Sequence, residues 1–147
     1  MNDIEIFKSK LSLKELENKL AQIEQIDIPL THVFSGGVYL RQIEIPKGSI
    51  IIGKRHRYET CNILLKGVLI LYMGENVPTR RIEGPYLFTS PPLTKKMAYC
   101  EEDAIFLNIH PTKETDLEKI ENEFIITENE YENNQIEDRG AKCLGLP

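Results

Sequence analysis

Short stretches with the pattern of β-strands recur from Val33 to Ile109, at intervals of about eight to twelve residues. Glycine or proline stands between most of them, as at Gly36-Gly37, Pro46-Lys47-Gly48 and Ser90-Pro91-Pro92. Glycine permits the positive φ of tight turns, and proline removes a donor that a central strand needs. About seven or eight short strands with this punctuation are typical of an all-β sandwich or barrel rather than of a βαβ fold.

Alternation along the strands predicts which side chains share a face. One face of Val38–Ile45 carries Tyr39, Arg41, Ile43 and Ile45. The dipeptide Lys66-Gly67 lies between apolar runs at 62–65 and 68–73, which predicts a β-hairpin with Gly67 in its turn. Cys61 is expected to be buried as a small apolar residue. Further strands are predicted at 49–52, 79–82, 86–89, 97–100 and 104–109.

An amphipathic helix is predicted at residues 12–26. Ser12 followed by Glu15 forms a capping box, in which the serine oxygen accepts the Glu15 N–H and the carboxylate accepts the Ser12 N–H. The apolar residues at helical spacing are Leu13, Leu16, Leu20 and Ile23. This helix is expected to pack on the outside of the core.

A second helical pattern follows Pro111, where Thr115 and Glu118 predict another capping box. Its apolar face consists of Leu117, Ile120 and Phe124. The whole chain is therefore divided into a helical segment at 1–30, a β-barrel at 31–112, a C-terminal helix at 113–126 and a polar tail or arm at 127–147.

Length and composition exclude several classes of protein. A chain of 147 residues fits one domain, and a formal net charge of −5 argues against nucleic-acid binding, which needs clustered Lys and Arg. No apolar run reaches the roughly 20 residues of a membrane-spanning helix, so no membrane partner is expected. The three cysteines form no CxxC pair, and the first residues show no apolar signal region. A reduced, cytoplasmic protein is expected.

The stretch at 53–67 is the most informative for function. Within seven residues it contains His56, Tyr58, Glu59 and Asn62, and it then becomes apolar. Polar side chains at the mouth of a strand suit a ligand or metal site, and the same spacing suits a plain loop entering a hairpin. The sequence contains no G-x-x-x-x-G-K-[ST], G-x-G-x-x-G or G-x-S-x-G motif, so nucleotide hydrolysis, dinucleotide binding and serine hydrolysis are not indicated.

A set of residues between 38 and 121 resembles a known family. The matching positions are Gly53, His56, Glu59, 62–67, 90–92, 94–95, 102–103, 109–112, 116–117 and 120–121. They resemble small single-domain cupins, and more closely the short cupin-like proteins encoded by bacteriophages and prophages. The resemblance implies a mainly β, single-domain cupin jelly-roll barrel with an N-terminal and a C-terminal helix packed outside.

The cupin motifs are only partly present. In cupins, a first motif His-x-His followed by Glu, and a second motif with a further His, present three imidazoles and a carboxylate to one metal. Here His56 matches the first His, Tyr58 occupies the second, and Asn62 lies where the Glu is expected. In the second motif Lys96 or Met97 replaces the last His. Most of the implied metal ligands are thus replaced.

One metal hypothesis remains open from the residues themselves. His56, Glu59 and His110 would supply two nitrogens and one carboxylate, a set compatible with a non-haem Fe(II) or a catalytic Zn site, with Mn or Ni as further divalent candidates. Such a protein would be a metal-dependent cupin isomerase or oxygenase. The alternative is that His56 hydrogen-bonds a ligand or Glu59, with no metal or cofactor bound.

The favoured hypothesis is a cupin that holds a small polar or anionic molecule at the barrel mouth. The predicted ligand-binding residues are His56, Tyr58, Glu59, Asn62, Lys95, Tyr99, Asn108 and His110. In a phage setting, such a protein would sequester a host metabolite or signal. A further hypothesis is a homo-oligomeric structural or interaction protein, whose strands and tail mediate the contacts.

Overall fold

The computed structural model describes residues 12–22, 25–74 and 77–143. Within these ranges the chain forms three helices and seven strands. The helices are α1 (Leu13–Leu20), α2 (Leu117–Phe124) and α3 (Glu128–Cys143). The strands are β1 (Leu30–Ser35), β2 (Val38–Ile45), β3 (Ile50–Ile52), β4 (Thr60–Tyr72), β5 (Arg80–Glu83), β6 (Tyr86–Ser90) and β7 (Met97–Pro111).

The two longest strands, β4 and β7, lie side by side at the centre of the sheet. All pairings between the described strands are antiparallel, in the order β1-β2-β7-β4-β5, with β3 added to β7 and β6 added to β4. β7 pairs with β2 through residues 104–111 and with β3 through residues 97–99. The predicted mainly β architecture is confirmed.

The apolar core lies on the inward faces of β2, β4 and β7. Along β4, Thr60, Asn62 and Leu64 are buried while Cys61 is exposed, because successive side chains of a strand point to opposite faces. The prediction that Cys61 is buried is wrong for this reason. The core cluster consists of Ile43, Ile45, Leu64, Leu69, Leu71, Ile82, Ala98, Cys100, Ala104 and Phe106. Complete burial of one such leucine is worth about 1.5–3 kcal/mol.

The predicted hairpin at Lys66-Gly67 is wrong. β4 continues through these residues, and its register against β7 shifts between Leu64 and Leu69, as at β-bulges. Gly67 has a φ of +98°, and a Cβ at this position would lie 2.5 Å from the Cα of Ala104. The glycine is therefore required by the close approach of β7 and not by a reversal of the chain.

The strands predicted at 97–100 and 104–109 are one continuous strand, β7. The acidic residues between them do not interrupt the pairing, since Glu102 lies opposite Val68 of β4. Glu102 and Asp103 are exposed. The acidic run thus marks a place where the strand meets solvent and not the end of the strand.

Helix α1 begins at the predicted capping box. The Glu15 N–H donates to Ser12 Oγ (3.2 Å), and the Ser12 N–H donates to Glu15 Oε2 (2.8 Å). The helix is shorter than the predicted range 12–26. Ile23, predicted to lie on its apolar face, is outside the described residues.

The capping box predicted for the second helix is wrong, because Asp116 rather than Thr115 is the N-cap. Asp116 Oδ1 accepts hydrogen bonds from the N–H groups of Glu118 (2.9 Å) and Lys119 (3.2 Å). A carboxylate at this position also faces the positive end of the helix dipole, which favours it over a hydroxyl. Helix α2 therefore begins at Leu117.

Helices α1 and α2 pack outside the strands, as predicted. Leu16 of α1 is buried against Met97 on the outer face of β7. Ile120 and Phe124 of α2 pack against Tyr39 of β2. Because Tyr39 belongs to the inward face of its strand, α2 covers an open end of the barrel.

Most of the segment predicted as a polar tail or arm forms helix α3, and residues 144–147 of that segment are outside the described residues. Glu128 accepts hydrogen bonds from Arg55 Nε (3.4 Å) and Lys95 Nζ (3.3 Å). The guanidinium of Arg55 lies 3.8 Å from the centre of the Tyr131 ring. The start of α3 is therefore fixed beside the loop that carries His56. Across the described ranges, no helix combines the length and apolar character needed to cross a membrane.

Candidate functional site

A cavity of about 570 Å³ lies at the end of the barrel that α2 covers. Its apolar wall is formed by Ile26, Ile28, Leu30, Ile43, Ile51, Ile52, Leu117, Ile120, Phe124 and Ile125. Its polar lining is formed by His32, Tyr39, Arg41, Lys54, His56, Lys96, Asn108, His110 and Glu121. Such a volume, with a mostly apolar wall and a few convergent polar groups, is typical of small-molecule sites.

Two imidazoles meet in this cavity, and their ring centres are 5.3 Å apart. His56 is 8% exposed, its Nδ1 lies 2.9 Å from Thr60 Oγ1, and its backbone is held by Thr94 and Leu93. His110 is 6% exposed, and its ring makes no hydrogen bond among the described residues. No fully enclosed side-chain nitrogen or oxygen in these residues lacks a partner, so the unbonded ring nitrogens of His110 are not sealed in the core. The ring nitrogens of His110 are therefore open to the cavity.

Both imidazoles are neutral at pH 7. Burial lowers the pKa of His56 to about 3, with further lowering by the nearby Lys96, His110 and Arg41. Burial likewise lowers the pKa of His110 to about 4, with smaller contributions from Arg41 and Lys96. A neutral imidazole carries one donor and one acceptor, so this pair is suited to hydrogen-bonding a ligand without adding charge to the cavity.

We expect the free energy of unfolding to fall as the pH is lowered from about 6.5 towards about 4. The pKa values of His56 and His110 are lower in the folded protein than the ordinary 6.5, so the unfolded chain binds protons more tightly and acid favours unfolding. One such histidine contributes at most about 1.4 kcal/mol per pH unit in this window. Urea unfolding at a series of pH values measures the slope.

The two histidines are tested by replacement. His56→Gln and His110→Gln should each make the pH dependence of unfolding shallower, and the double variant should be shallower still. An unchanged slope between about pH 4 and 6.5 in the double variant would show that other groups cause the acid sensitivity.

Lys96 brings a buried ammonium group to the same cavity. The residue is 9% exposed, and its Nζ donates to Ser90 Oγ at 3.3 Å. Burial lowers the pKa of Lys96 to about 8. No carboxylate pairs with it in the part of the chain that the structure describes. A buried cation with only a neutral partner is costly to maintain.

Arg41 of β2 is a second cation on the cavity. It is half-buried, and it likewise has no carboxylate partner within ranges 12–22, 25–74 and 77–143. The strand register places it opposite Asn108 of β7, and Asn108 in turn lies opposite Asn62 of β4. Three neighbouring strands thus carry polar side chains in one row.

A chain of buried hydrogen bonds connects this row to Lys96. Asn108 Nδ2 donates to Asn62 Oδ1 at 2.7 Å. Asn62 Nδ2 donates to Ser90 Oγ and to the carbonyl of Thr60, both at 3.1 Å, and Ser90 Oγ accepts from Lys96. Each of these side chains is held by its neighbours, which fixes the Lys96 amine at one place in the barrel.

The structure brings three of the predicted ligand-binding residues to the cavity: His56, Asn108 and His110. Asn62 lies behind Asn108 in the hydrogen-bond chain. The cavity lining does not include Tyr58, Glu59, Lys95 or Tyr99. Tyr58 and Glu59 are exposed, Lys95 Nζ binds Glu17 (2.5 Å) and Glu128 (3.3 Å), and Tyr99 packs near α1.

Single-residue alternation explains these differences. The side chains of Thr60 and Asn62 point inward on β4. Because adjacent side chains of an extended chain point in opposite directions, Glu59 points outward, and it is exposed. Lys96 shares the inward side of Ala98 and Cys100, and Lys95 therefore faces outward to the helices. Of these two adjacent lysines, Lys96 lines the cavity and Lys95 does not.

Sequence reasoning missed Arg41 and Lys96 as site residues. A signal was present for Arg41, because it is predicted to share one face of β2 with Tyr39 and Ile43, and the structure places that face inward. For Lys96 the signals are its position in place of the last cupin histidine and its place, with Lys95, after the prolines of Ser90-Pro91-Pro92. Lys96 lies in an irregular segment just before β7, so the alternation of a strand could not be used to predict which way its side chain points.

The described residues around the cavity do not fit the metal site that the cupin resemblance implies. Glu59 is exposed and does not join His56 and His110. In the described ranges, no group of three or more His, Cys, Asp or Glu is arranged to hold a metal ion. Arg41 and Lys96 would also repel a divalent cation placed between the imidazoles. The predicted set of metal ligands is therefore not assembled.

Comparisons with known proteins identify the fold. No family model and no curated protein matches the sequence. KdgF from Halomonas sp. is similar in structure, with a TM-score of 0.51 at 14% identity over 65% of this chain and 90% of that one. An RmlC-like cupin family protein with a double-stranded β-helix fold, from Methanocaldococcus jannaschii, has a TM-score of 0.50 at 14% identity, over 63% of this chain and 94% of that one.

A cupin superfamily protein from Desulfitobacterium hafniense gives a TM-score of 0.50 at 11% identity, over 71% of this chain and 92% of that one. At such identities the likeness concerns the fold. The predicted jelly-roll fold is thereby confirmed: the chain has the fold of these cupins, as a single domain with helices packed outside the strands.

Proposed function

We propose that this protein binds a small organic anion in the barrel cavity, with the anionic group near Arg41 and Lys96 and an apolar part against the wall. The observation that carries the proposal is that both cations lie on the cavity and neither has a carboxylate partner among the described residues. An anion would supply the missing charge in a water-poor site, where charge-assisted hydrogen bonds are strong.

Lys54, which also lines the cavity, and three cations adjacent in sequence to cavity residues are paired within the protein. These pairs are Lys54 with Glu121, Arg55 with Glu128, Arg57 with Glu130, and Lys95 with Glu17 and Glu128. The contrast supports a role in ligand binding for the two that are left, because an unpaired, partly buried charge lowers stability unless something binds it.

The imidazoles of His56 and His110 support the same proposal. They are neutral at pH 7, so they add hydrogen-bonding capacity near the cations without adding charge. The open ring nitrogens of His110 would donate to or accept from the ligand beside its anionic group. The apolar wall contributed by α2 would cover the rest of the molecule, which favours a ligand with a hydrocarbon part.

The biological setting belongs to the proposal as well. The resemblance to phage- and prophage-encoded cupin-like proteins supports a binder that sequesters a host metabolite or signal rather than a metal-dependent enzyme. A cytoplasmic location and a homo-oligomeric state accompany this proposal as predictions.

Titration with 4-methylpentanoate and with its neutral amide tests the charge requirement. We expect the carboxylate to bind at least about tenfold more tightly than the amide, and Arg41→Gln to weaken carboxylate binding by about tenfold or more, which corresponds to about 1.4 kcal/mol. Ligand-observed NMR measures both affinities.

Arg80→Gln is the matched control, since Arg80 is exposed on β5 and does not line the cavity. It should leave the affinity unchanged. Equal affinities for the carboxylate and the amide, or equal losses in the Arg41 and Arg80 variants, would contradict an anion site at this end of the barrel.

A further inference from the structure

The two adjacent lysines 95 and 96 are both nearly inaccessible to solvent, but their surroundings are opposite in character. Lys95 Nζ lies 2.5 Å from Glu17 Oε1 and 3.3 Å from Glu128 Oε1, so its charge is held by two carboxylates. Lys96 Nζ has the Ser90 hydroxyl at 3.3 Å and lies on the cavity with the two imidazoles. A lysine held this way is suited to act as an amine and not only as a charge.

We propose that Lys96 forms a reversible imine with a 2-oxo carboxylate bound in the cavity. This inference rests on the proposed function, since it takes the ligand to be an organic anion and names its reactive group. Arg41 would hold the carboxylate, and the carbonyl carbon next to it would meet the Lys96 amine. The apolar wall would accommodate the side chain of the oxo acid.

The reaction balances without a redox partner. The neutral Lys96 amine adds to the carbonyl carbon, and a proton passes from nitrogen to oxygen to give a carbinolamine. Loss of one water molecule then forms the C=N bond. When neutral, His110 has one acceptor and one donor nitrogen that make no hydrogen bond within the described residues. It is therefore suited to take the proton at one nitrogen while the other gives one to the departing oxygen, without forming the imidazolium that its lowered pKa disfavours.

Charge and burial support Lys96 as the reacting amine. Burial lowers its pKa to about 8, so near that pH a large fraction of the side chain is the neutral nucleophile. The hydrogen bonds that run from Asn108 through Asn62 and Ser90 to Nζ hold the amine in place. Precise placement of the two reacting groups favours addition to a bound carbonyl.

Reductive trapping tests the proposal. The full chain is incubated with 4-methyl-2-oxopentanoate and sodium cyanoborohydride, which reduces an imine to a stable secondary amine. We expect the mass of the protein to rise by that of one oxo acid minus one oxygen atom. Peptide mapping should find at least about tenfold more label on Lys96 than on Lys95. Lys96→Arg, which keeps a cation, should lose the label, and circular dichroism of the variant checks that it folds.

A parallel binding measurement with 2-hydroxy-4-methylpentanoate separates this inference from the proposed function. This compound keeps the carboxylate and the side chain but has no carbonyl. If it binds and the oxo acid leaves no label on Lys96, the imine is refuted while anion binding stands. If the hydroxy acid does not bind, the proposed function fails. Label spread evenly over surface lysines would refute the imine even in wild-type protein.

Discussion

Replacing Gly67 with alanine is expected to lower the free energy of unfolding by more than about 4 kcal/mol, a loss large enough to unfold many small domains. A Cβ at this position would lie 2.5 Å from both the Ala104 Cα and the Asp103 carbonyl oxygen, and these are backbone atoms of the central strand β7. The φ of +98° adds strain for any residue with a side chain. Guanidinium unfolding followed by circular dichroism measures the change in midpoint.

Gly48→Ala is the matched control, because Gly48 has a similar φ of +85° but no atom within 4 Å of the point where a Cβ would lie. Only the conformational strain should appear there, about 1–2 kcal/mol. A Gly67→Ala loss no larger than that of Gly48→Ala would mean that β4 and β7 separate readily at the bulge, against the close approach of their backbones.

Asn62→Ala is expected to cost about 2–4 kcal/mol of unfolding free energy. The side chain is fully buried and makes three hydrogen bonds, to the Thr60 carbonyl, to Ser90 Oγ and from Asn108 Nδ2. Its removal leaves the Asn108 amide without its acceptor and opens a void in the barrel. Urea unfolding at pH 7.5 and about 25 °C measures the loss.

A double-mutant cycle identifies the cause of that loss. Asn62→Leu and Asn108→Leu each break the 2.7 Å bond between the two amides and leave the other amide unpaired, whereas the double variant removes both partners. The double variant should therefore lose less stability than the sum of the two single variants. Strictly additive losses would show that the amides do not interact in the folded protein.

The same buried network connects the stability of the barrel to the candidate site. Asn62 and Ser90 do not line the cavity, yet they hold the amine of Lys96, which does. Conservative changes in the network should therefore alter ligand binding without touching the ligand. Two positions of the implied metal ligands are occupied by Asn62 and Lys96, and these side chains are connected through the hydroxyl of Ser90.

Much of the local structure could be predicted from the sequence, because it depends on contacts between near neighbours. The capping box of Ser12 and Glu15 involves only four consecutive residues, and its hydrogen bonds form as expected. The alternation of Val38–Ile45 predicts that Tyr39 and Arg41 share one face, and in the structure they do. Local patterns failed where two choices of similar strength were adjacent, as with the caps Thr115 and Asp116.

The composition of the site could be predicted only in part. His56, Asn108 and His110 were selected from the sequence, and all three line the cavity. Glu59 is predicted from its nearness to His56 and Lys95 from its place after the prolines of Ser90-Pro91-Pro92, but adjacent side chains of a strand point to opposite faces. Proximity in sequence therefore says little about which residue of a pair points into a barrel.

The sequence by itself determined the fold class and most of the strand positions, because periodicity and the placing of glycine and proline are local properties. It did not determine that the chain passes through Gly67 or that 97–100 and 104–109 form one strand. Tertiary structure alone decided that β4 passes through Gly67 as a bulge, that His56 meets His110, and that Lys96 rather than Lys95 faces the cavity. These outcomes depend on the register between strands far apart in the chain. A shift of one residue in register reverses which side chains are buried, and only the packed barrel fixes that choice.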